Sequence, residues 1–374
     1  MIKINISQVD TLFANSNYPI EFLFYFDYTI KSEIIKKSLK QLSTSFWALF
    51  GKYEKGQIHS IPFYEELFFR IITLDEDFNP KEEEIELWKK YHQINPEKME
   101  TLFFISILQF NNGTVLIPKM NHLVGDGHSY FYFLSILSEF SKASVIPANK
   151  ELVGSLTKLN NNRTIIKEFL FERSNQKDPP KLTDHCIKTE RIRKVKIAQI
   201  IEDVKGKHIE SVSVNDVLSA MIFKRIFKNP TNNRAADFTL SIPIDVRRNV
   251  KELGVHFFGN GVMIHHITKK SVDLEKLSIE ELALEIRRSM PPLNTESFKA
   301  YLTNLQYSIE NQPEISLQPW DPEKGCLATN LTRMPIHRLN FGKGTPSFAG
   351  TLTIGRNSAV ILRDDDNYIL RFVY

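Results

Sequence analysis

The sequence predicts an α/β protein built as two halves, each a mixed β-sheet carrying helices. Three observations lead there. Short, aromatic-rich β-like runs alternate with amphipathic helical runs, but without the strict strand–helix–strand rhythm of a parallel sheet. A polar stretch carrying Pro179-Pro180 interrupts the 374-residue chain near its middle, and polar residues around a double proline mark a linker. No tandem repeat with a period of about 20–50 residues is present, which excludes a solenoid. We place an N-terminal half at residues 1–175, a crossover linker at 176–186 and a C-terminal half at 187–374.

The elements follow in order. Residues 21–28, Glu-Phe-Leu-Phe-Tyr-Phe-Asp-Tyr, read as a strand buried on at least one face. In residues 32–46, Ile34, Ile35, Leu39 and Leu42 recur near helical spacing. Strands at 101–110 and 114–118 flank Asn111-Asn112-Gly113, and Asn-Gly between apolar runs is a strong hairpin signal. A helix is expected from Gly127 to about residue 141, with Tyr130, Phe133, Leu134, Leu137 and Phe140 on one face. Beyond the linker, Ser213-Val214-Asn215-Asp216 resembles a capping box with Asp in place of Glu or Gln. Strands are expected at 238–244 and 262–267, helices at 272–288 and 296–309, and several short strands after Cys326.

Composition narrows the function. Hydrophobic residues at 42% and charged residues at 25% are ordinary globular usage. Lys and Arg number 48 against 44 Asp and Glu, a net charge of +4, too weak to indicate nucleic-acid binding. No apolar run approaches the roughly 18 residues of a membrane span. The start, Met1-Ile2-Lys3-Ile4-Asn5, lacks a basic region followed by an apolar core, so no secretory signal is expected. Two cysteines, Cys186 and Cys326, make neither a disulfide framework nor a zinc cluster. A reducing cytoplasm is the expected location. Phosphate-binding glycine loops are absent, against kinase and dehydrogenase readings.

The sharpest local feature is His122-Leu123-Val124-Gly125-Asp126-Gly127-His128, between a buried strand and a helix. Three readings stand. The segment is a polar turn with an exposed histidine. Or His122, Asp126 and His128 bind a metal, although their spacing fits no standard zinc signature. Or His122 is a general base, because imidazole titrates near neutral pH, and Asp126 holds the ring or the loop.

His122-x-x-x-Asp126-Gly127 resembles the HxxxDG motif of the BAHD acyltransferases and their relatives, chloramphenicol acetyltransferase and peptide-synthetase condensation domains. Five further stretches occur in the family's order. Ser7-Gln8-Val9-Asp10 and residues 46–53 resemble its N-terminal signatures. Ile244-Asp245-Val246-Arg247 followed by Phe258-Gly259-Asn260 resembles its D-x-R and YFGN stretch. Residues 329–337 resemble the segment preceding DFGWG, and Asn340-Phe341-Gly342-Lys343-Gly344 resembles DFGWG itself.

The resemblance implies two chloramphenicol-acetyltransferase-like halves around a central solvent channel. It implies an acyl-CoA-dependent O- or N-acyltransferase with no bound cofactor and no metal, acyl-CoA being a co-substrate. His122 is then the general base, and Thr329 helps stabilise the tetrahedral oxyanion. Asp126 pairs with Arg247 to fix the loop, Gly127 permits its turn, and Asn340, Phe341, Gly342 and Gly344 support the cofactor side. The expected partners are an acyl-CoA and a small alcohol or amine acceptor, with no nucleic acid and no membrane span, and the expected state is a monomer. Two alternatives remain: a same-fold enzyme taking its acyl group from phosphopantetheine on a carrier protein, and a non-catalytic binding protein on this scaffold.

The sequence departs from the pattern at three places. Asn340 and Lys343 replace the usual Asp and Trp, and Leu331 stands where some members carry Trp. Asn121 precedes His122, where condensation domains carry a second histidine, which favours simple acyl transfer. Ser211, Ser213 and Lys224 are candidate contacts for CoA phosphates, on the principle that helix N-termini bind anions. His128 is expected to cap or face solvent, Ser129 to be an early helix residue, and His265-His266 to be structural, since neighbouring strand residues face opposite sides.

Overall fold

A computed structural model describes residues 2–6, 10, 19–96, 101–139, 170–172, 186–229, 236–311 and 315–374. The chain divides into two units. Unit 1 comprises Met1–Leu159, Lys251–Gly261 and Met334–Thr353; unit 2 comprises Asn160–Val250, Val262–Arg333 and Ile354–Tyr374. The proposed linker lies outside the described residues apart from Cys186.

Unit 1 is organised on a five-stranded mixed sheet. Its strands run Phe348–Thr351, Ile20–Phe26, Gly113–Met120, Phe103–Phe110 and Phe69–Thr73. All pairs are antiparallel except the last, which is parallel. The central hairpin forms where the sequence placed it, with Phe110 opposite Gly113. Its turn differs from the expected one. The loop is Asn111-Asn112, and among the described residues only Lys55 and Asn357 are non-glycines with positive φ, so the turn is not the Asn-Gly type. Gly113 has a different reason. A Cβ there would stand 2.2 Å from the Phe26 carbonyl oxygen.

The helix Gly127–Glu139 lies on this sheet and buries Tyr130, Phe131, Phe133, Leu134 and Leu137. Phe140, expected on the same face, lies outside the described residues. Edge-to-face rings lock the helix in place: Phe131 against Phe22 at 5.2 Å, and Phe133 against Phe103 at 5.0 Å and Phe46 at 5.2 Å. Such pairs contribute about 0.5–1.5 kcal/mol each beyond their area burial. A three-stranded sheet of Lys3–Asn5, Gln57–His59 and Lys52–Glu54 completes the regular strands described in this unit.

Unit 2 is organised on a six-stranded mixed sheet. Its order is Val262–Lys270, Asp237–Asp245, Gly325–Asn330, Ser358–Arg363, Asn367–Val373 and Ile187–Arg193. The two pairs involving Gly325–Asn330 are parallel. A two-stranded pair, Ile315–Leu317 with Leu170–Glu172, stands apart from that sheet. The helix Val214–Phe227 begins with the expected capping box between Ser213 and Asp216. It packs apolar side chains against the sheet, with Phe223 stacked on Phe238 at 5.9 Å.

One expected helix, 272–288, is two. Ser271–Lys276 ends at Leu277, and Ile279–Ser289 starts from a second capping box, in which Ser278 and Glu281 satisfy each other's backbone N–H groups. The Ser-x-x-Glu signal is present in the sequence. It marks a new helix start inside the expected span. The last expected helix is longer by a few residues, Thr295–Asn311. Among the described residues no helix is long and apolar enough to cross a membrane.

Candidate active site

The candidate base sits in a loop whose turn is made by its neighbour. Asn121 accepts the Leu123 N–H on Oδ1 at 3.0 Å, and its carbonyl accepts the Val124 N–H at 3.1 Å. This side-chain turn carries His122 off the end of the Gly113–Met120 strand. His122 is half-buried, and its Nδ1 is sealed from solvent. Burial lowers its pKa from the ordinary 6.5, while the Asp126 charge, its own carbonyl and the Asn260 side chain pull it back up. Burial dominates, and the net direction favours the neutral ring.

Asp126 is buried and caps the following helix. Its Oδ1 accepts the Ser129 N–H at 3.1 Å, and its carbonyl accepts the Tyr130 N–H at 2.9 Å. A carboxylate at this position satisfies an orphan donor and faces the positive end of the helix dipole. Its other oxygen accepts the Gly261 N–H at 2.8 Å. Asp126 thereby ties the loop to the start of the helix and to Gly261. His128, in the first turn, places Nε2 3.1 Å from the Val255 carbonyl.

Three residues around this loop were not assigned roles from sequence. Asn260 is buried and points Nδ2 at the carbonyls of His122 (3.1 Å) and Leu123 (3.4 Å) and at Asp10 Oδ1 (3.3 Å). Ser129 Oγ donates to the Gly259 carbonyl at 2.8 Å and accepts the Gly259 N–H at 2.9 Å. Gly125 must be glycine, because a Cβ there would lie 2.7 Å from the Ser129 Cβ. Asn260 and Gly259 were visible only as part of a family stretch. Their partners are more than a hundred positions away, so no local pattern reveals the contacts.

The second motif also lies in unit 1. Asn340 Oδ1 accepts the N–H groups of Gly342 (2.8 Å) and Gly344 (3.3 Å). Only an acceptor oxygen is used, so Asn does this work as well as Asp. Gly342 has φ +128°, a conformation open to glycine. Phe341 is buried edge-on against Phe26 at 5.6 Å, and the Gly344 carbonyl accepts the Tyr28 hydroxyl at 2.9 Å. Lys343, in the usual Trp position, is exposed.

Unit 2 holds the remaining candidates. Thr329 is half-buried, paired with Val360 in the parallel centre of the sheet. Its neighbour Asn330 donates to Asn215 Oδ1 at 2.8 Å, and Leu331 is buried. Arg247 is buried, with Nη1 3.0 Å from Asp245 Oδ1. Ser211 is exposed. Ser213 is committed to its capping box, donating Oγ–H to Asp216 Oδ2 at 2.9 Å. Asp216 is itself ion-paired with Arg287 at 2.6 Å. Lys224 lies roughly 15 Å further along the helix at 1.5 Å per residue, and donates to the Leu277 carbonyl. Ser211 thus precedes the helix, Ser213 caps it and Lys224 lies near its far end. His265 and His266 face Ser289 and Ser241, at 3.1 and 2.9 Å. Among the described residues no cluster of three or more His, Cys, Asp or Glu could hold a metal.

A family profile described as the Transferase family matches residues 74–368, most of the chain. The chain belongs to this BAHD-like acyltransferase family. Solved structures share the transferase fold. F. graminearum TRI101 complexed with coenzyme A and deoxynivalenol superposes with a TM-score of 0.77 at 14% identity, covering 100% of this chain and 95% of that one. Vinorine synthase gives 0.72 at 16%, covering 98% and 89%. The first condensation domain of the CDA synthetase gives 0.60 at 10%, covering 100% and 90%. No curated protein matches this transferase in sequence.

Proposed function

We propose that this transferase moves an acyl group from acyl-CoA to a hydroxyl or amine of a small acceptor, with His122 as the general base. One observation carries the assignment. His122 stands in a loop fixed by Asn121, Asp126 and Asn260, where burial lowers its pKa toward the neutral ring that a base requires.

Nδ1 is sealed within the protein, so Nε2 takes the acceptor's proton as the acceptor attacks the thioester carbonyl. A tetrahedral oxyanion forms, with Thr329 the proposed donor to it on the family pattern. Its collapse expels the CoA thiolate, which recovers the proton from the imidazolium. The products are an ester or amide and free CoA thiol. The coenzyme A and toxin bound to TRI101 support this donor and the general class of acceptor. Asn121 in place of a second histidine supports simple transfer over peptide condensation.

The test is thiol release from a panel of acyl-CoAs incubated with pooled alcohols and amines. Release that needs both an acceptor and His122 supports the proposal. Its complete absence with a folded protein moves the reading to a carrier-protein donor or to a non-catalytic protein.

A further inference from the structure

Gly259, Asn260 and Gly261 are consecutive, and each grips a different point of the 122–129 loop. Gly259 exchanges two hydrogen bonds with Ser129 Oγ, and its carbonyl also accepts the Asp126 N–H at 3.4 Å. Asn260 reaches two consecutive carbonyls, those of His122 and Leu123. Gly261 donates to Asp126 Oδ2. The arrangement leaves little freedom. Three acceptors surround Asn260 Nδ2, which fixes which end of the amide faces them. Its Oδ1 is thereby turned the other way, and that oxygen is buried.

We propose that Asn260 is the positioning residue of the base. It sets the backbone of His122 and Leu123 through the two loop carbonyls, with Ser129 locking the Gly259-Asn260-Gly261 segment in register. This rests on His122 being the base. Asn260 touches neither substrate nor the reacting atoms. It acts through His122, by fixing the backbone from which the imidazole projects, and its side chain favours the protonated ring. Asp126 holds the loop through the Ser129 and Gly261 N–H groups, and its charge also favours the protonated ring.

The experiment has two arms. The first needs no substrate. The ring resonances of His122 are identified by their loss in His122→Ala, then titrated by NMR in wild type and in Asn260→Ala. The expected result is a changed tautomer signature and a titration moved to lower pH in Asn260→Ala. Unchanged His122 resonances would overturn the proposal.

The second arm is a double-mutant cycle on acyl transfer. Asn260→Ala should lower kcat by about 10-fold or more with little change in KM. It should cost nothing further in the His122→Ala background, because it acts only through that ring. Equal losses in both backgrounds mean a general structural role and overturn the proposal. Ser129→Ala is the variant for the case in which Asn260→Ala does not fold. It removes both bonds to Gly259 while placing a good helix former in the first turn, and it should shift the His122 titration in the same direction. If His122→Ala itself keeps the full rate, the base assignment fails, while the NMR arm still decides whether Asn260 controls the ring.

Discussion

Glu21 lies directly opposite Lys119 in the register of two neighbouring strands, and both are buried. Each also has a polar partner elsewhere: Asn95 donates to Glu21 Oε1 at 2.7 Å, and Lys119 donates to the Pro96 carbonyl at 2.8 Å. Ser106 completes the group by donating to Asn95 Oδ1 at 2.6 Å. Burial raises the Glu21 carboxyl to about 7, against the lowering influence of Lys119 and Asn95.

That carboxyl makes stability depend on pH in a definite direction. Between 4.5 and about 7 the folded protein holds a proton that the unfolded chain has released. The contribution is fully present below 4.5 and is lost as pH rises through about 7. Its span is worth up to roughly 3 kcal/mol at 1.36 kcal/mol per pH unit. His266, pushed down to about 3 by burial, works in the opposite sense and loses stability as pH falls below 6.5. Comparing Glu21→Gln with wild type isolates the first effect. Urea midpoints across this window should show one fewer proton bound on folding in the variant. Equal pH slopes would contradict the pKa assigned to Glu21.

His122 and Asp126 should fail differently. His122→Ala is expected to cut transfer by at least about 10²-fold with near-native stability. The acid limb of kcat/KM in wild type should fall below 6.5, the direction in which burial moves the ring. Asp126→Ala removes a helix cap and leaves the Gly261 N–H without its carboxylate, so stability should drop by about 2 kcal/mol together with activity. Denaturation and rate measured on the same preparations separate the two patterns.

Two glycines give opposite expectations for the same substitution. Gly125→Ala forces a Cβ to within 2.7 Å of the Ser129 Cβ, and crowding of this kind costs about 1–3 kcal/mol. Gly206 sits in the helix Lys194–Lys207, and a Cβ there would meet nothing within 4 Å. Gly206→Ala should therefore stabilise by roughly 0.5–1 kcal/mol. Thermal midpoints moving in opposite directions are the expected outcome.

Asn340 tests whether the departed motif keeps its structural task. Asn340→Asp should be close to neutral, because the acceptor oxygen survives. Asn340→Ala should cost about 1 kcal/mol by releasing the Gly342 and Gly344 N–H groups. A neutral Asn340→Ala would show that this turn forms without its side-chain acceptor.

Local chemistry was the legible part of this sequence. The capping box at Ser213, the hairpin at Asn111 and the helix after Gly127 each depend on residues within a few positions of one another, and each formed. The break at Leu277–Ser278 was equally local, since Ser278 and Glu281 form a capping box within four residues. The loop segment carrying His122 could be found from spacing, whereas its support could not. Ser129 reads as a plain helix residue until Gly259 is beside it, 130 positions later. Gly125 reads as incidental until Ser129 fills the space a Cβ would take.

The discontinuity of unit 1 bears on how the protein is made. When Leu159 has left the ribosome, the strand Ile20–Phe26 still lacks its neighbour Phe348–Thr351, and the loop at His122 lacks Gly259 to Gly261. At about 5–20 residues per second, Thr353 follows roughly 10–40 s later. For that interval an aromatic strand is an open sheet edge, the kind of surface that pairs with other chains. The nascent N-terminal segment thus exposes that edge until the end of synthesis is near, whereas the His122 loop gains its Gly259–Gly261 supports earlier, once the second half of the chain is under way.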